Sequence, residues 1–319
     1  MAACVSAKVR AISLRDMRSL AILVVALPLA AQAQNVTPGT IGAAGYLYPS
    51  PVIVAPGQVI TLFVAGFGGQ LSVTVRQTAD YSAPVLDVRA TPSCIVSPDI
   101  PCAAYSAVTV QIPFEIQPSC PLCANPVSYA TTVFVTQNGV AGPTFQLLPL
   151  SDKIHFLTAC DTVVPGGSGY PLLTGLPCAP IVTHADGSLV TIDHPAHGDE
   201  ELVAYATGLG ATNPAVPTGQ PAPGPAPAQT VFLLESNYLP NALPAQPIVP
   251  LILLRSRYQV PLFAGLTAGY VGLYQVNFLV QPPPAGVIPC GASVQSNLTV
   301  SMGGQSSFDG VGICVTPTN

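Results

Sequence analysis

Two stretches of this chain align without a gap: Val110 to Pro118 (VQIPFEIQP) and Tyr274 to Pro282 (YQVNFLVQP). Upstream of the first, Pro56-Gly57-Gln58 leads through apolar residues to Gly66-Phe67-Gly68. Upstream of the second, His197-Gly198-Asp199 leads likewise to Gly208-Leu209-Gly210, with a one-residue gap. Downstream, Val135-Thr136-Gln137-Asn138-Gly139 answers Val300-Ser301-Met302-Gly303-Gly304. Three matched segments in the same order predict an internal duplication, so one copy's fold must serve for both. This constrains architecture and leaves activity open.

The matched segments alternate with period two. Val108, Val110, Ile112, Phe114 and Ile116 fall on one face, and Thr109, Gln111, Pro113, Glu115 and Gln117 on the other, which predicts a half-buried strand. Pro113 lacks a ladder donor and belongs at an edge or bulge. Val276, Phe278 and Val280 repeat the pattern. Leu71, Val73 and Val75 alternate with Ser72, Thr74 and Arg76, and Leu298 and Val300 alternate with Asn297 and Thr299. Asn138-Gly139, Asp186-Gly187, Gly303-Gly304 and Asp309-Gly310 supply the positive φ of tight turns. Short strands, frequent turns and no helical periodicity beyond the N-terminal apolar run predict an all-β chain of two tandem Ig-like β-sandwich modules. The first module is expected over residues 34–150 and the second over 181–319. Between them, 151–180 reads as a connector stapled by Cys160 and Cys178. Within the second module, Asn213 to Gln229 is proline-rich and reads as an extended surface loop.

The N-terminus carries Lys8, Arg10, Arg15 and Arg18, then an apolar run from Leu20 to Ala31, then Ala31-Gln32-Ala33. This predicts a secretory signal peptide over residues 1–33, cleaved after Ala33. Met17-Arg18-Ser19 would begin a compact signal by itself, so the start is read as either Met1, with a longer basic n-region, or Met17. The run falls short of the roughly 20 apolar residues of a membrane span, so no membrane insertion of the mature chain is expected. The expected location is secreted or on the cell-envelope exterior, with the periplasm also allowed.

Cleavage removes four cations and Asp16, moving the formal charge from -5 to -8. Arg76, Arg89, Lys153, Arg255 and Arg257 remain and form no basic cluster in the sequence. Nucleic acid and anionic membrane surfaces are therefore excluded as expected partners. Charged residues make up 7% of the chain, against roughly a quarter in an average soluble protein.

One of the nine cysteines, Cys4, lies in the signal, leaving Cys94, Cys102, Cys120, Cys123, Cys160, Cys178, Cys290 and Cys314. An even number in an exported chain reads as disulfides. Their order suggests the short-range pairs 94/102, 120/123, 160/178 and 290/314, although spacing alone does not fix connectivity.

Three of the four histidines, His184, His194 and His197, fall near Asp186, Asp193, Asp199, Glu200 and Glu201. His-x-x-His beside carboxylates is a zinc or copper pattern. Pro195 excludes the helix that would stack two imidazoles, and calcium at Asp193, Asp199 and Glu200 lacks a recognisable loop. The segment is read as a solvated lead-in to a strand. No metal or other cofactor is assigned, and His184, His194, His197 and Asp199 stand as the candidates to inspect.

Gly166-Gly167-Ser168-Gly169-Tyr170 lacks the last glycine of a nucleophile elbow. Cys120-Pro121-Leu122-Cys123 has redox spacing, but Pro118 and Pro126 deny it the helix N-terminus that lowers a thiol pKa, so a structural disulfide is preferred. A zinc cluster of Cys94, Cys102, Cys120 and Cys123 is disfavoured by export into an oxidising space. Sugar stacking would need exposed aromatics such as Tyr46, Tyr48, Tyr81 or Tyr238. The chain has no tryptophan, and these tyrosines are read mainly as strand packing.

Several strings of the second half are specific: Thr183 to Val190 (THADGSLV), Tyr205 to Pro214 (YATGLGATNP), Thr218 to Pro221 (TGQP), Phe263 to Leu266 (FAGL) and Gly269 to Asn277 (GYVGLYQVN). Through them, residues 181–315 resemble the uncharacterised C-terminal domain family of Solibacter-type bacteria. The N-terminal half looks like a divergent copy, similar in outline to the TIG-type Ig-like modules of cell-surface proteins. His197 stands where that family usually has proline, and Glu235 to Pro250 is an insertion. The resemblance implies an Ig-like sandwich at the cell exterior and carries no reaction. The expected function is an exported non-enzymatic protein for adhesion, surface scaffolding or protein interaction, with an unknown protein or polymer partner. The alternatives are an extracellular polysaccharide- or polymer-binding accessory protein and, behind it, a metal-dependent hydrolase.

Overall fold

Alternating valines need a second apolar sheet to cover them, and the computed structural model supplies one in each half of the chain. It describes residues 35–43, 46–47, 51–65, 70–90, 105–120, 127–161, 178–246 and 258–317, all within one compact unit. Residues 1–33, Cys94, Cys102, Cys123 and the Pro165 to Gly169 segment lie outside the described residues.

Every regular element among the described residues is a β-strand. One sheet orders Tyr46–Leu47, Asn35–Ala43, Val59–Ala65, Tyr105–Gln111 and Val85–Ala90 side by side; a second orders Val52–Val54, Val140–Pro149, Thr131–Gln137, Leu71–Arg76 and Asp80–Ala83. A third holds His155–Phe156, Glu201–Thr207, Tyr274–Leu279, Phe263–Leu266 and Ala226–Pro227, with Val182–His184 also on Glu201–Thr207. The fourth orders Tyr258–Gln259, Leu233–Asn237, Leu298–Gly303 and Phe308–Ile313. Val52–Val54 runs parallel to Val140–Pro149; the other strand pairs are antiparallel.

Two cores result. The first joins Ile60, Leu62, Val108 and Val110 to Val73, Val75, Val133 and Val135 from the facing sheet. The second joins Leu202, Ala204, Val276 and Phe278 to Leu234, Val300, Met302 and Ile313. Each large apolar side chain buried this way contributes roughly 1.5–3 kcal/mol. Tyr274 is fully buried and its hydroxyl donates to the Gly210 carbonyl at 2.6 Å. Burial pushes its phenol far up.

Several expectations need correction. The strand around Val110 stops at Gln111, and its polar face is not solvated: Thr109 and Gln111 are buried as fully as the valines. Only Val110 and Gln111 of the first nine-residue stretch lie in a strand, whereas Tyr274 to Leu279 of the second do. Phe114 turns off its strand and packs on the second core. Its ring lies so close to Gly57 that a Cβ there would sit 2.0 Å from it.

The start of the expected connector is built into the second sandwich, since Ile154 and Phe156 belong to that core and His155–Phe156 pairs with Glu201–Thr207. The proline-rich segment is not a solvated loop either. Val216, Ala222 and Ala226 insert into the second core, and Ala226–Pro227 pairs with Gly265 and Leu266. Alanine between prolines is small enough to seat there, and Pro227 sits on an edge strand where a missing donor is tolerated.

Asn138-Gly139 does form its turn, with φ of 50° and 79°. Asp309-Gly310 instead lies inside Phe308–Ile313, paired with Met302 and Ser301, because the chain reverses earlier, at residues 304–307. Cys160 and Cys178 stand at disulfide distance with Cα atoms 5.6 Å apart, as do Cys290 and Cys314 at 5.9 Å. Cys120 is disulfide-bonded too.

The halves meet through two of the strings singled out in the second, Thr218 to Pro221 and Tyr205 to Pro214. The Gly219 N–H donates to the Gln111 amide oxygen at 2.7 Å, and the Phe114 N–H donates to Thr218 Oγ1 at 2.9 Å. Thr218 Oγ1 donates in turn to Glu115 at 2.6 Å. Gly208, at φ 79°, lies against the Lys153 carbonyl with no room for a side chain. These contacts explain why Gln111 and Phe114 leave the alternation of a half-solvated strand.

Candidate functional site

The histidine segment draws its members together without aiming them at one point. Val182–His184 pairs with Glu201–Thr207 and places His184 beside the turn that leads into that strand. His184 Nδ1 meets Glu200 Oε1 at 2.5 Å, and its Nε2 lies 3.3 Å from the His194 carbonyl oxygen. The His194 ring stacks on His184 with centroids 4.1 Å apart. Both ring nitrogens of His184 are therefore occupied within the protein. Burial pulls the His184 pKa down, but the hydrogen bonds to Glu200 and to the His194 carbonyl, with the charges of Glu200 and Asp186, together more than offset it, so the net direction is up. Glu200 moves down: burial opposes this, and the His184 hydrogen bond overcomes it.

His197 enters through its backbone N–H, which donates to Glu200 Oε2 at 2.8 Å, and Asp199 forms the turn with a φ of 63°. Among the described residues no group of three or more His, Cys, Asp or Glu is disposed to hold a metal ion. The arrangement braces a turn.

The fourth histidine is the one most completely enclosed. His155 is 3% exposed; its Nε2 lies 3.1 Å from Asp161 Oδ2 and its Nδ1 3.3 Å from Asp309 Oδ2. Burial alone would lower its pKa, and this is the largest single effect. The hydrogen bonds that His155 donates to Asp161 and Asp309, with the charges of those carboxylates, outweigh it and raise the pKa from 6.5 to about 9. Asp161 also accepts the Thr158 N–H at 2.6 Å. A protonated imidazole thus bridges two carboxylates that each hold a strand end. Sequence reasoning passed over it: between Ile154 and Phe156 strand alternation turns His155 to the opposite face, and only the tertiary placement of Asp161 and Asp309 shows that this face is buried and supplies the polar partners a buried histidine requires.

Asp152 was missed as well. It is fully buried and accepts the N–H groups of Gln305, Ser306 and Ser307 at 2.7, 3.0 and 2.8 Å, holding the turn between Leu298–Gly303 and Phe308–Ile313.

A groove of about 500 Å³ opens where the halves meet. Val59, Leu86 and Thr109 of the first half face Leu157, Tyr205 and Tyr270 of the second across it, and the Asp87–Arg89 ion pair lies on its wall. Tyr270 is 58% exposed. Of the tyrosines singled out by sequence, Tyr238 donates its hydroxyl to the Gln281 carbonyl, with burial raising its pKa to about 12, and Tyr81 is half-buried against the first core. Tyr48 and the Tyr46 side chain lie outside the described residues.

These features define a class, a β-sandwich protein with disulfide-distance cysteine pairs and an apolar groove. No family model and no curated protein matches the chain. Among solved structures, the C-terminal domain of the AgI/II polypeptide BspA of Streptococcus agalactiae aligns over 83% of this chain and 94% of that domain, at 7% identity and a TM-score of 0.19. Red sea bream transglutaminase aligns over 89% of this chain and 32% of the enzyme, at 10% identity and a TM-score of 0.20. At these scores neither likeness bears on function.

Proposed function

We propose that this chain is an exported, non-catalytic binding protein of two duplicated Ig-like modules, acting in adhesion, scaffolding or protein interaction at the cell exterior. The observation that supports this most is how its ionisable clusters are used. His155, His184, Asp152, Asp161 and Glu200 are engaged with backbone and with one another, while the groove between the halves is walled mainly by apolar side chains. Such a surface recognises shape and apolar area. The disulfides and the N-terminal segment fit export, and the resemblance to Solibacter-type C-terminal domains fits the tandem arrangement.

The test has two parts. Mass spectrometry of the exported protein is expected to find Gln34 at its N-terminus. Cross-linking on intact cells is expected to join the protein to one envelope component, with the adduct lost in Tyr270→Ala and Leu86→Asp variants. An intracellular protein with an intact leader, or adducts indifferent to both substitutions, would overturn the proposal.

The exposed Tyr270 favours polymer binding as the second reading, since an exposed ring can stack on a sugar. A glycan array decides it: Tyr270-dependent binding of one saccharide class would place the protein among accessory polymer binders.

A further inference from the structure

We infer that the open edge of the second sandwich receives an extended strand from a partner polypeptide, which pairs with the backbone of Gly310 and Gly312. This rests on the protein-interaction reading above and names a second surface for it.

Phe308–Ile313 is the last strand of its sheet, and the hydrogen bonds beyond it fix which backbone groups face outward. The Val315 N–H donates to Asn297 Oδ1 at 2.8 Å and its carbonyl accepts from Asn297 Nδ2 at 2.8 Å, both on the inner side. The Cys314 carbonyl and the Thr316 N–H face the other way, where they bond the backbone of Ala196 at 2.9 and 2.8 Å. Carried back along the strand, this alternation turns the N–H and C=O of Gly312 and Gly310 outward. Among the described residues nothing pairs with them there.

The other sheet's edge runs opposite. At one end the two edges are stitched by side chains: the Ile154 N–H donates to Ser307 Oγ at 2.8 Å and the Phe156 N–H to Asp309 Oδ2 at 2.9 Å. Beyond Asp309 the edges part around a cavity of about 520 Å³, with Gly310 to Cys314 on one side and Thr158, Pro180 and Val190 among the residues facing them. Both sides are anchored, for Cys178 and Cys314 line the slot and belong to the two cysteine pairs.

Unpaired edge amides recognise a main chain, and the slot's dimensions limit which. At about 3.3 Å per residue, the length from Gly310 to Cys314 accommodates roughly four residues of strand. The stitch at Asp309 and the Ala196 bridge close the two ends, so a single short segment fits and a second sheet edge does not. Asp193 and Asp309 line the slot, and no lysine or arginine does. Asp309 is already matched with His155, which leaves Asp193 to favour a segment carrying a basic residue. The glycines themselves are explained by packing on the sheet's outer face, where a Cβ on Gly310 would meet the Val300 carbonyl at 2.8 Å and one on Gly312 would meet Ser296 Oγ at 2.7 Å.

The experiment uses the oxidised mature protein, residue-resolved amide exchange and a displayed library of random peptides of about ten residues. In the free protein Gly310 and Gly312 are expected to exchange faster than Val311 and Ile313. Enriched peptides are expected to carry Lys or Arg, to slow exchange at both glycines about tenfold, and to bind about threefold more weakly to Asp193→Asn. Gly312→Pro, which removes one outward N–H, should abolish binding; if it does not fold, the exchange data decide alone. Slow exchange at both glycines in the free protein, no enrichment, or bound peptides that leave both amides unprotected would overturn the inference. A Tyr270-dependent adduct on cells together with any of these would sink the slot alone and leave the broader reading standing.

Discussion

Raising the pH through the range in which His155 gives up its proton should destabilise this protein. In the folded chain His155 lies between Asp161 and Asp309, and its pKa stands at about 9 against 6.5 ordinarily. Because the folded value is the higher one, the stabilisation is fully present below about pH 6.5, declines above it as the unfolded chain releases its proton first, and is gone once the pH passes about 9. At about 1.4 kcal/mol per tenfold difference in proton affinity, the gap is worth about 3 kcal/mol, a large part of a domain's net stability. Solvent screening takes little from it, since the ring is 3% exposed.

Urea unfolding from about pH 6 to about pH 10, with disulfides kept oxidised, should show the wild type losing about 3 kcal/mol more than a His155→Gln variant does. His184 also has a raised pKa and acts in the same sense, so the comparison is best made in a His184→Gln background. Parallel curves for the two proteins, or a wild type that gains stability as the pH rises, would refute the reasoning.

Three further outcomes follow from the packing. Gly208→Ala, at φ 79° with a Cβ 1.9 Å from the Lys153 oxygen, should cost about 3 kcal/mol or more in thermal unfolding, whereas Gly139→Ala, at the same φ with open space around it, should cost about 1 kcal/mol. Asp152→Ala strips the acceptor from three backbone N–H groups and should lower stability by about 3 kcal/mol in urea titrations, with the loss concentrated in exchange protection of residues 304–307. The Cys290→Ser, Cys314→Ser double variant opens a loop of sequence separation 24 and should melt lower by an amount equivalent to about 3 kcal/mol while keeping its β spectrum.

Strands were legible where period-two alternation was clear, as in Leu71–Arg76 and Leu298–Gly303, and the Asn138-Gly139 turn was legible from its residue types. They were misread wherever a strand's second face meets protein instead of water. Thr109 and Gln111 look like a solvated face, yet they are buried at the contact between the halves, where Gln111 receives the Gly219 N–H. Local pattern cannot tell a polar side chain facing water from one facing another module's backbone. The proline-rich segment failed for the complementary reason: its composition describes a stiff chain, and the small alanines that let a stiff chain lie on a core carry little signal.

The roles of the carboxylates follow from the chain's poverty in charge. With 7% charged residues, the chain has few countercharges to offer, and a carboxylate is tolerated in the interior only where several N–H donors or an imidazolium converge on it. Asp152, Asp161, Asp309 and Glu200 meet that condition by gripping turns and strand ends that the low-charge sheets leave unpaired. A histidine beside such a carboxylate is drawn into the same grip, which is how His155, and His184 with its metal-like sequence context, come to fasten the backbone. The surfaces proposed for recognition, the groove beside Tyr270 and the open edge at Gly310 and Gly312, are instead lined mainly by apolar side chains and backbone. Those are features of tertiary arrangement, and a one-dimensional pattern records neither.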